Sequence, residues 1–509
     1  MAPTPENRFV CVHGHFYQPP REDPWTGKIP RQPSAGEYHD WNERIARECY
    51  IPNGRARIAN NKNETLAYIN NYSFMSFNFG PTLLNWFEEA HPAEYKRLLT
   101  ADRESASRLE GHGNAIAQAY NHMIMPLANA RDKVTQVRWG LADFRYRYHR
   151  DPEAMWLPET AVDSETLRVL IGHGLKYAIL SPHQAKHVRR AGVTKWSDVT
   201  GATLDTRRPY RWTDHESKAH RSIGLFFYDG ALSQAVAFGK LMASSPKAAD
   251  RVAAEFEDDS RADQLVSLAT DGETFGHHEK FAEMGLAHLL RFELPSRHIQ
   301  PVNYGFFLAK HRTTWEAEIR ENSSWSCAHG VNRWKGGCDC GSEGKSTAWR
   351  KVLREALDWL RDELADIAEA ETNRLVRDFW EVRDDYSDVL LDPSDENVEL
   401  FCRRRMILDP IPETRKALLR MLECQKYAMF MYTSCAWFFS HIDGIEAVQN
   451  LMYAARAIEL AEETGLADDL ESGFLQRLKG AAPSPGSQLK DGEAVYRHLA
   501  RPSRQRQAA

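Results

Sequence analysis

The chain has 509 residues, 42% of them hydrophobic and 27% charged, and a formal net charge of -6. A globular protein of this length exceeds one ordinary domain, and its negative balance argues against general attraction to nucleic acid or anionic lipid, so neither partner is expected. No apolar run is long enough to span a bilayer, and the opening MAPTPENRFVCVHGH lacks a basic-then-apolar secretion signal, so the expected location is cytoplasmic.

In chain order, RFVCVHGH (8–15) is β-branched and alternating and predicts a strand ending at His13 and His15. Those two residues share one face of it. NNYSFMSFNFGP predicts a strand ending near Asn78, and PTLLNWFEEAHPAEYKRLL a helix with Pro81 in its first turn. EAMWLPE is a short strand carrying Trp156 and Glu159. ETLRVLIGHGL is a helix closed by glycines and followed by the strand KYAILS. SIGLFFYD and QLVSLATD are further strands, ending at Asp229 and Asp271, and EKFAEMGLAHLLRFE is a helix.

Strands alternating with helices predict a parallel α/β sheet or barrel. His13, His15, Glu159, Asp229 and Asp271 all fall at the C-terminal ends of apolar runs, the rim on which such folds build active sites. Helix caps also follow strands, so Glu159 and Asp229 each retain a capping alternative. Glu273, in TDGETFGHH, either binds a substrate hydroxyl or braces its loop. Of the adjacent His277 and His278, one is expected in the site and one in a structural role.

From about residue 345 the patterns become long and helical, as in STAWRKVLREALDWLRDELADIAEAE and IEAVQNLMYAARAIELAEE. The expected organisation is a catalytic domain over 1–300, a helical domain over 301–480 that lends a loop to the active site, and a linker with a disordered tail over 481–509. Five of the eight cysteines are scattered and expected to be reduced. The others, Cys327, Cys338 and Cys340, cluster with His329 in CAHGVNRWKGGCDC. A tetrahedral metal site, a reduced loop and a disulfide are the three readings of that loop, whose one-residue spacings are tighter than usual for zinc. DTRRPYRW (205–212) reads as a solvated basic loop, with a substrate subsite as the alternative.

HGHFYQPP, AYNHMIMPL, the stretch from RWGLADF through WLPETAVDSETL, FFYDGALSQAVAF, TDGETFGHH and SSWSCAHGVNRW occur in the order of the sequence regions of glycoside hydrolase family 57, which the chain resembles over about residues 8–340. The resemblance implies an incomplete (β/α)7 barrel followed by a mainly helical C-terminal domain. It implies a retaining enzyme acting on α-linked glucans as amylase, 4-α-glucanotransferase or branching enzyme, with no cofactor and no catalytic metal. Glu159 takes the place of the nucleophile and Asp271 that of the general acid/base. His13, His15, Gln18, His122, Trp156, Asp229, Glu273, His277 and Trp325 are the expected substrate-binding residues. The sequence departs from the family pattern where Phe16 and Tyr17 separate His15 from Gln18, and where GHGNAIAQAYNH carries no acid. Two other classes are weighed: a metal-dependent polysaccharide deacetylase using His13 and His15, and a carbohydrate-binding protein without catalysis.

Overall fold

A computed structural model describes residues 7–60, 62–258, 260, 262–338, 340, 346–466 and 469–501. The chain divides into two compact units. The first comprises Met1–Gln18, Arg31–Gln118 and Arg147–Glu321; the second comprises Pro19–Pro30, Ala119–Tyr146 and Asn322–Ala509.

The first unit is built on strands β1 (Arg8–Phe16), β2 (Ser76–Phe79), β3 (Ala117–Gln118), β4 (Met155–Trp156), β5 (Tyr177–Leu180), β6 (Ser222–Phe227) and β7 (Gln264–Asp271). β1 pairs in parallel with β7 on one side and with β2 on the other. β3 pairs in parallel with β4, and β5 with β6. Single parallel bridges, Phe77 to Ala115 and Ala154 to Tyr177, join these pairs into one succession. At the far end the Asp229 N–H donates to the Ser267 carbonyl at 2.7 Å. β1 and β7 are buried along nearly their whole length, which explains why both read as near-continuous apolar runs.

The expected helix after β2 is two helices, Pro81–Ala90 and Pro92–Arg108. Pro92 cannot donate a hydrogen bond and disfavours helical backbone at His91, so the chain restarts there. A feature the sequence reading missed is a set of antiparallel pairings. Tyr210–Thr213 pairs with β6, and Trp315–Ile319 pairs with Ala185–Arg190, giving a mixed six-stranded sheet. The expected solvated loop over 205–212 is therefore corrected: Tyr210 and Trp212 are buried on a strand. Its basic residues are neutralised, Arg207 and Arg208 by Asp205, and Arg211 by Glu316 at 2.6 Å.

The second unit is helical, with long helices at Trp349–Thr372, Pro412–Phe430 and Ile445–Glu462. The first of these buries an apolar stripe including Leu353, Leu357, Leu360 and Leu364, the 3.6-residue period that made it legible. Within the stretch expected as linker and tail, Gly492–Val495 and Tyr496–Ala500 are helical, and Val495 and Tyr496 are buried. The end of the expected tail, 502–509, lies outside the described residues. Among the described residues no helix is long and apolar enough to cross a membrane.

Candidate active site

Parallel register sets the site. On β1, His13 and His15 lie level with Ala269 and Asp271 of β7 on one side, and with Ser76 and Asn78 of β2 on the other. Gln118 on β3 is level with Trp156 on β4. The C-terminal strand ends thus carry a polar layer on an aromatic plate. The rings of His13 and His15 stack on Trp156 with centroids 4.8 and 5.0 Å away.

Both histidines are buried, and that burial lowers each pKa to about 3. They are neutral at ordinary pH. His13 Nδ1 meets Ser76 Oγ at 2.9 Å and its Nε2 meets Asn78 Oδ1 at 3.1 Å. The Asn78 amide nitrogen lies 2.9 Å from His15 Nδ1 and 2.7 Å from Gln118 Oε1. With the Asn78 amide so oriented it donates to His15 Nδ1, which places the His15 proton on Nε2. The other amide atom of this chain, Gln118 Nε2, is buried without a hydrogen-bond partner among the described residues. Such a donor is costly to leave unmade and suits a hydroxyl of a bound sugar. Sequence reading passed over Asn78, Gln118 and Ser76, whose signal was only their place at or near strand ends.

Glu159 follows β4 on a short 3₁₀ turn, with φ 58° and ψ 22°; Thr160 follows with φ 49°. Two successive left-handed residues without a glycine cost about 1–3 kcal/mol each, more characteristically so for a β-branched threonine. The surroundings hold them there. Gln184, fully buried, donates from Nε2 to the Thr160 carbonyl at 2.8 Å, and its Oε1 accepts from Thr160 Oγ1 and the Ser181 N–H, each at 2.8 Å. Glu159 itself is partly buried, and its carboxylate is close enough to Asp271 to raise that residue's pKa. Gln184 holds the Thr160 backbone in place, and no sequence pattern singles it out.

Asp271 ends β7. Water reaches its carboxyl, yet protein crowds it at longer range and weakens its hydration. That desolvation, then the charges of Glu273 and Glu159, push its pKa well above the usual carboxylate range. Gly272 behind it admits no side chain: a Cβ would lie 2.3 Å from the Phe16 ring. Glu273 is buried, and its Oε1 accepts from the Tyr50 hydroxyl at 2.6 Å and the Tyr17 N–H at 3.1 Å. Burial raises its pKa to about 7. Both observed partners are protein groups, which favours the bracing role.

The other expected residues are placed as follows. Asp229 caps the helix Gly230–Phe238, accepting from the Leu232 N–H at 2.7 Å. His277 pairs through Nδ1 with Glu48 and packs edge-on against Trp41, whereas His278 is exposed. Gln18 donates to the Tyr17 carbonyl at 3.0 Å. His122 and Trp325 belong to the second unit. There His122 is buried with φ 60°, and its Nδ1 lies 2.6 Å from Ser434 Oγ.

Asp271 at the end of β7 and Glu159 on the turn after β4 are thus close enough to interact, and His13, His15 and Trp156 form a stacked aromatic layer at the same strand ends. The family model "Glycosyl hydrolase family 57" matches residues 12–313, more than half of the chain, and the chain belongs to that family of retaining glycoside hydrolases and transglycosylases. A "Domain of unknown function (DUF3536)" model matches residues 346–509. No curated protein sequence matches the chain. Among solved structures, an exo-type maltose-forming amylase from Pyrococcus sp. ST04 is similar at 17% identity and a TM-score of 0.69, over 92% of this chain and 82% of that one. A branching enzyme of the same family from Pyrococcus horikoshii is similar at 16% identity and a TM-score of 0.53, over 92% of this chain and 94% of that one. At these identities the likeness shows a shared fold.

Proposed function

We propose that the protein is a retaining enzyme of α-linked glucans, with Glu159 as nucleophile and Asp271 as general acid/base. The observation that carries this reading is the environment of Asp271. Crowding by protein and the charges of Glu273 and Glu159 push the Asp271 carboxyl up from the usual carboxylate range, the direction an acid catalyst needs. Glu159 lies on a strained turn clamped by Gln184, which suits a nucleophile that must be held in place. In the first half-reaction Glu159 attacks the anomeric carbon while Asp271 protonates the departing oxygen. In the second, Asp271 takes a proton from water or a sugar hydroxyl, which displaces Glu159.

The succession of parallel pairings from β7 through β1 to β6 supports an incomplete seven-stranded barrel. Trp156, His13, His15, Gln18 and Gln118 are assigned to the sugar, and His122 and Trp325 are assigned to it on the resemblance alone. The helical second unit and a cytoplasmic location belong to the same proposal. The deacetylase alternative needs His13 and His15 as metal ligands, but both His13 nitrogens face protein partners.

The solved relatives named for amylase and branching activities leave two fates for the glycosyl-enzyme, water or a sugar hydroxyl. Incubation with maltooligosaccharides, amylose and glycogen separates shortening, redistribution and branching, and proton NMR gives the anomer first released. Retained configuration is expected; inverted product, or no action on any α-glucan, would overturn the proposal.

A further inference from the structure

In the second unit the loop after Glu321 gathers four ligand atoms. Cys327, His329, Cys338 and Cys340 each offer one, all within 4.8 Å of one another. Cys327 Sγ lies 3.4 Å from Cys338 Sγ and 4.0 Å from Cys340 Sγ, and His329 Nδ1 lies 3.2 Å from Cys340 Sγ. A tetrahedral ion with bonds of about 2.3 Å to sulfur and about 2.05 Å to nitrogen sets its ligands about 3.8 Å apart for two sulfurs and about 3.5 Å for sulfur and nitrogen. The two sulfur–sulfur separations bracket the first value, and the sulfur–nitrogen separation falls about 0.3 Å short of the second. A disulfide needs sulfurs at about 2.05 Å, well inside the observed contacts.

From these distances we propose that Cys327, His329, Cys338 and Cys340 bind one structural zinc ion. Three thiolates and an imidazole form a soft donor set suited to zinc rather than to magnesium or calcium. Four protein ligands close the tetrahedron and leave no position for substrate, so the role is structural. The tight spacing of Cys327 and His329 is workable because the chain turns there, the Gly330 N–H donating to the Cys327 carbonyl at 3.0 Å.

The loop is shaped to bring its two ends together. Gly330, at φ 76°, makes the turn after His329, where a Cβ would lie 2.3 Å from the Asn322 carbonyl oxygen. Gly337, at φ 81°, makes the turn before Cys338, and a Cβ there would meet the Thr347 carbonyl oxygen at 2.8 Å. Between them the short helix Asn332–Lys335 anchors through buried Trp334, whose indole N–H donates to the Ser434 carbonyl at 3.2 Å. Buried Arg350 donates to the Cys338 carbonyl at 3.0 Å, and Arg333 donates to the Ser326 carbonyl at 3.2 Å. Three thiolates around a dication leave a net charge of about -1, which a nearby guanidinium offsets. The ion would pin the segment that begins with Trp325, two residues before its first ligand.

The test uses the full untagged chain, purified under reducing conditions without chelator. Elemental analysis should give about one zinc per chain, and cobalt(II) exchanged into the site should give the visible absorption of a tetrahedral thiolate complex. Cys338→Ser and Cys340→Ser should each lower bound zinc at least about tenfold, whereas Cys424→Ser, at a buried cysteine elsewhere, should retain it. If the serine variants do not fold, titration of the native wild type with a mercurial thiol reagent decides. Zinc release in step with modification of three thiols supports the site. Iron in place of zinc, only trace zinc after anaerobic reconstitution, zinc undiminished in a folded Cys338→Ser chain, or an intact mass showing a disulfide would overturn it.

Discussion

Replacing Glu273 by glutamine removes a charge beside Asp271 while keeping the shape that braces the loop. Glutamine Oε1 still accepts from the Tyr50 hydroxyl and the Tyr17 N–H, so the fold should survive. The two acids are two positions apart, at most about 7 Å between Cα atoms. For charges about 7 Å apart, an effective dielectric of about 20 gives an interaction of about 2.4 kcal/mol, or about 1.7 pH units. Glu273, with a pKa of about 7, carries only part of its charge at neutral pH. Water reaching Asp271 screens the interaction further. The net expectation is a shift of about one unit. The sign is fixed: a neighbouring negative charge raises an acid's pKa, and removing it lowers that pKa. The alkaline limb of kcat/KM, where Asp271 loses its proton, should therefore move down by about one pH unit in Glu273→Gln. Initial rates on an α-glucan across pH, with circular dichroism as a check on folding, measure this. An unmoved or raised limb in a folded variant would refute the argument that Asp271 feels the charge of Glu273.

Gln184→Leu leaves the Thr160 carbonyl and the Ser181 N–H without their buried partner, so it should lower the melting temperature and reduce kcat at least about tenfold with little change in KM. Gly272→Ala drives a methyl into the Phe16 ring and should destabilise the protein by about 1–3 kcal/mol, read from denaturant unfolding. Asp271→Ala should keep its first step on substrates with activated aryl leaving groups and regain turnover with azide, giving a glycosyl azide of retained configuration. Azide with Glu159→Ala should give the inverted product; the opposite pattern would exchange the two roles.

The strands were legible because buried parallel strands must be apolar throughout and end where polar residues begin. β1 and β7 announced themselves, but the register that sets His15 level with Asp271 did not. Helix caps and catalytic carboxylates share that same position, so Asp229 read ambiguously until its contact with the Leu232 N–H was seen. Gln184 was illegible for a different reason. Its work is to hold Thr160, a residue 24 positions away, in a backbone conformation that no side-chain pattern encodes. The mixed pairing of Trp315–Ile319 with Ala185–Arg190 was hidden likewise, since long-range register leaves no local periodicity. The cysteine loop lay between these cases: composition suggested a metal, spacing argued against it, and only the folded geometry brought the four ligand atoms together.

The most direct test of the catalytic assignment is to find which residue carries the sugar. Asp271→Ala, incubated with an α-glucoside bearing an activated leaving group, should accumulate the glycosyl-enzyme because the second step lacks its base. Peptic digestion and tandem mass spectrometry should then place one glycosyl group on Glu159, and the double variant that also carries Glu159→Gln should remain unlabelled. A label on Glu273 or another carboxylate, or turnover of that double variant at an undiminished rate, would contradict the account.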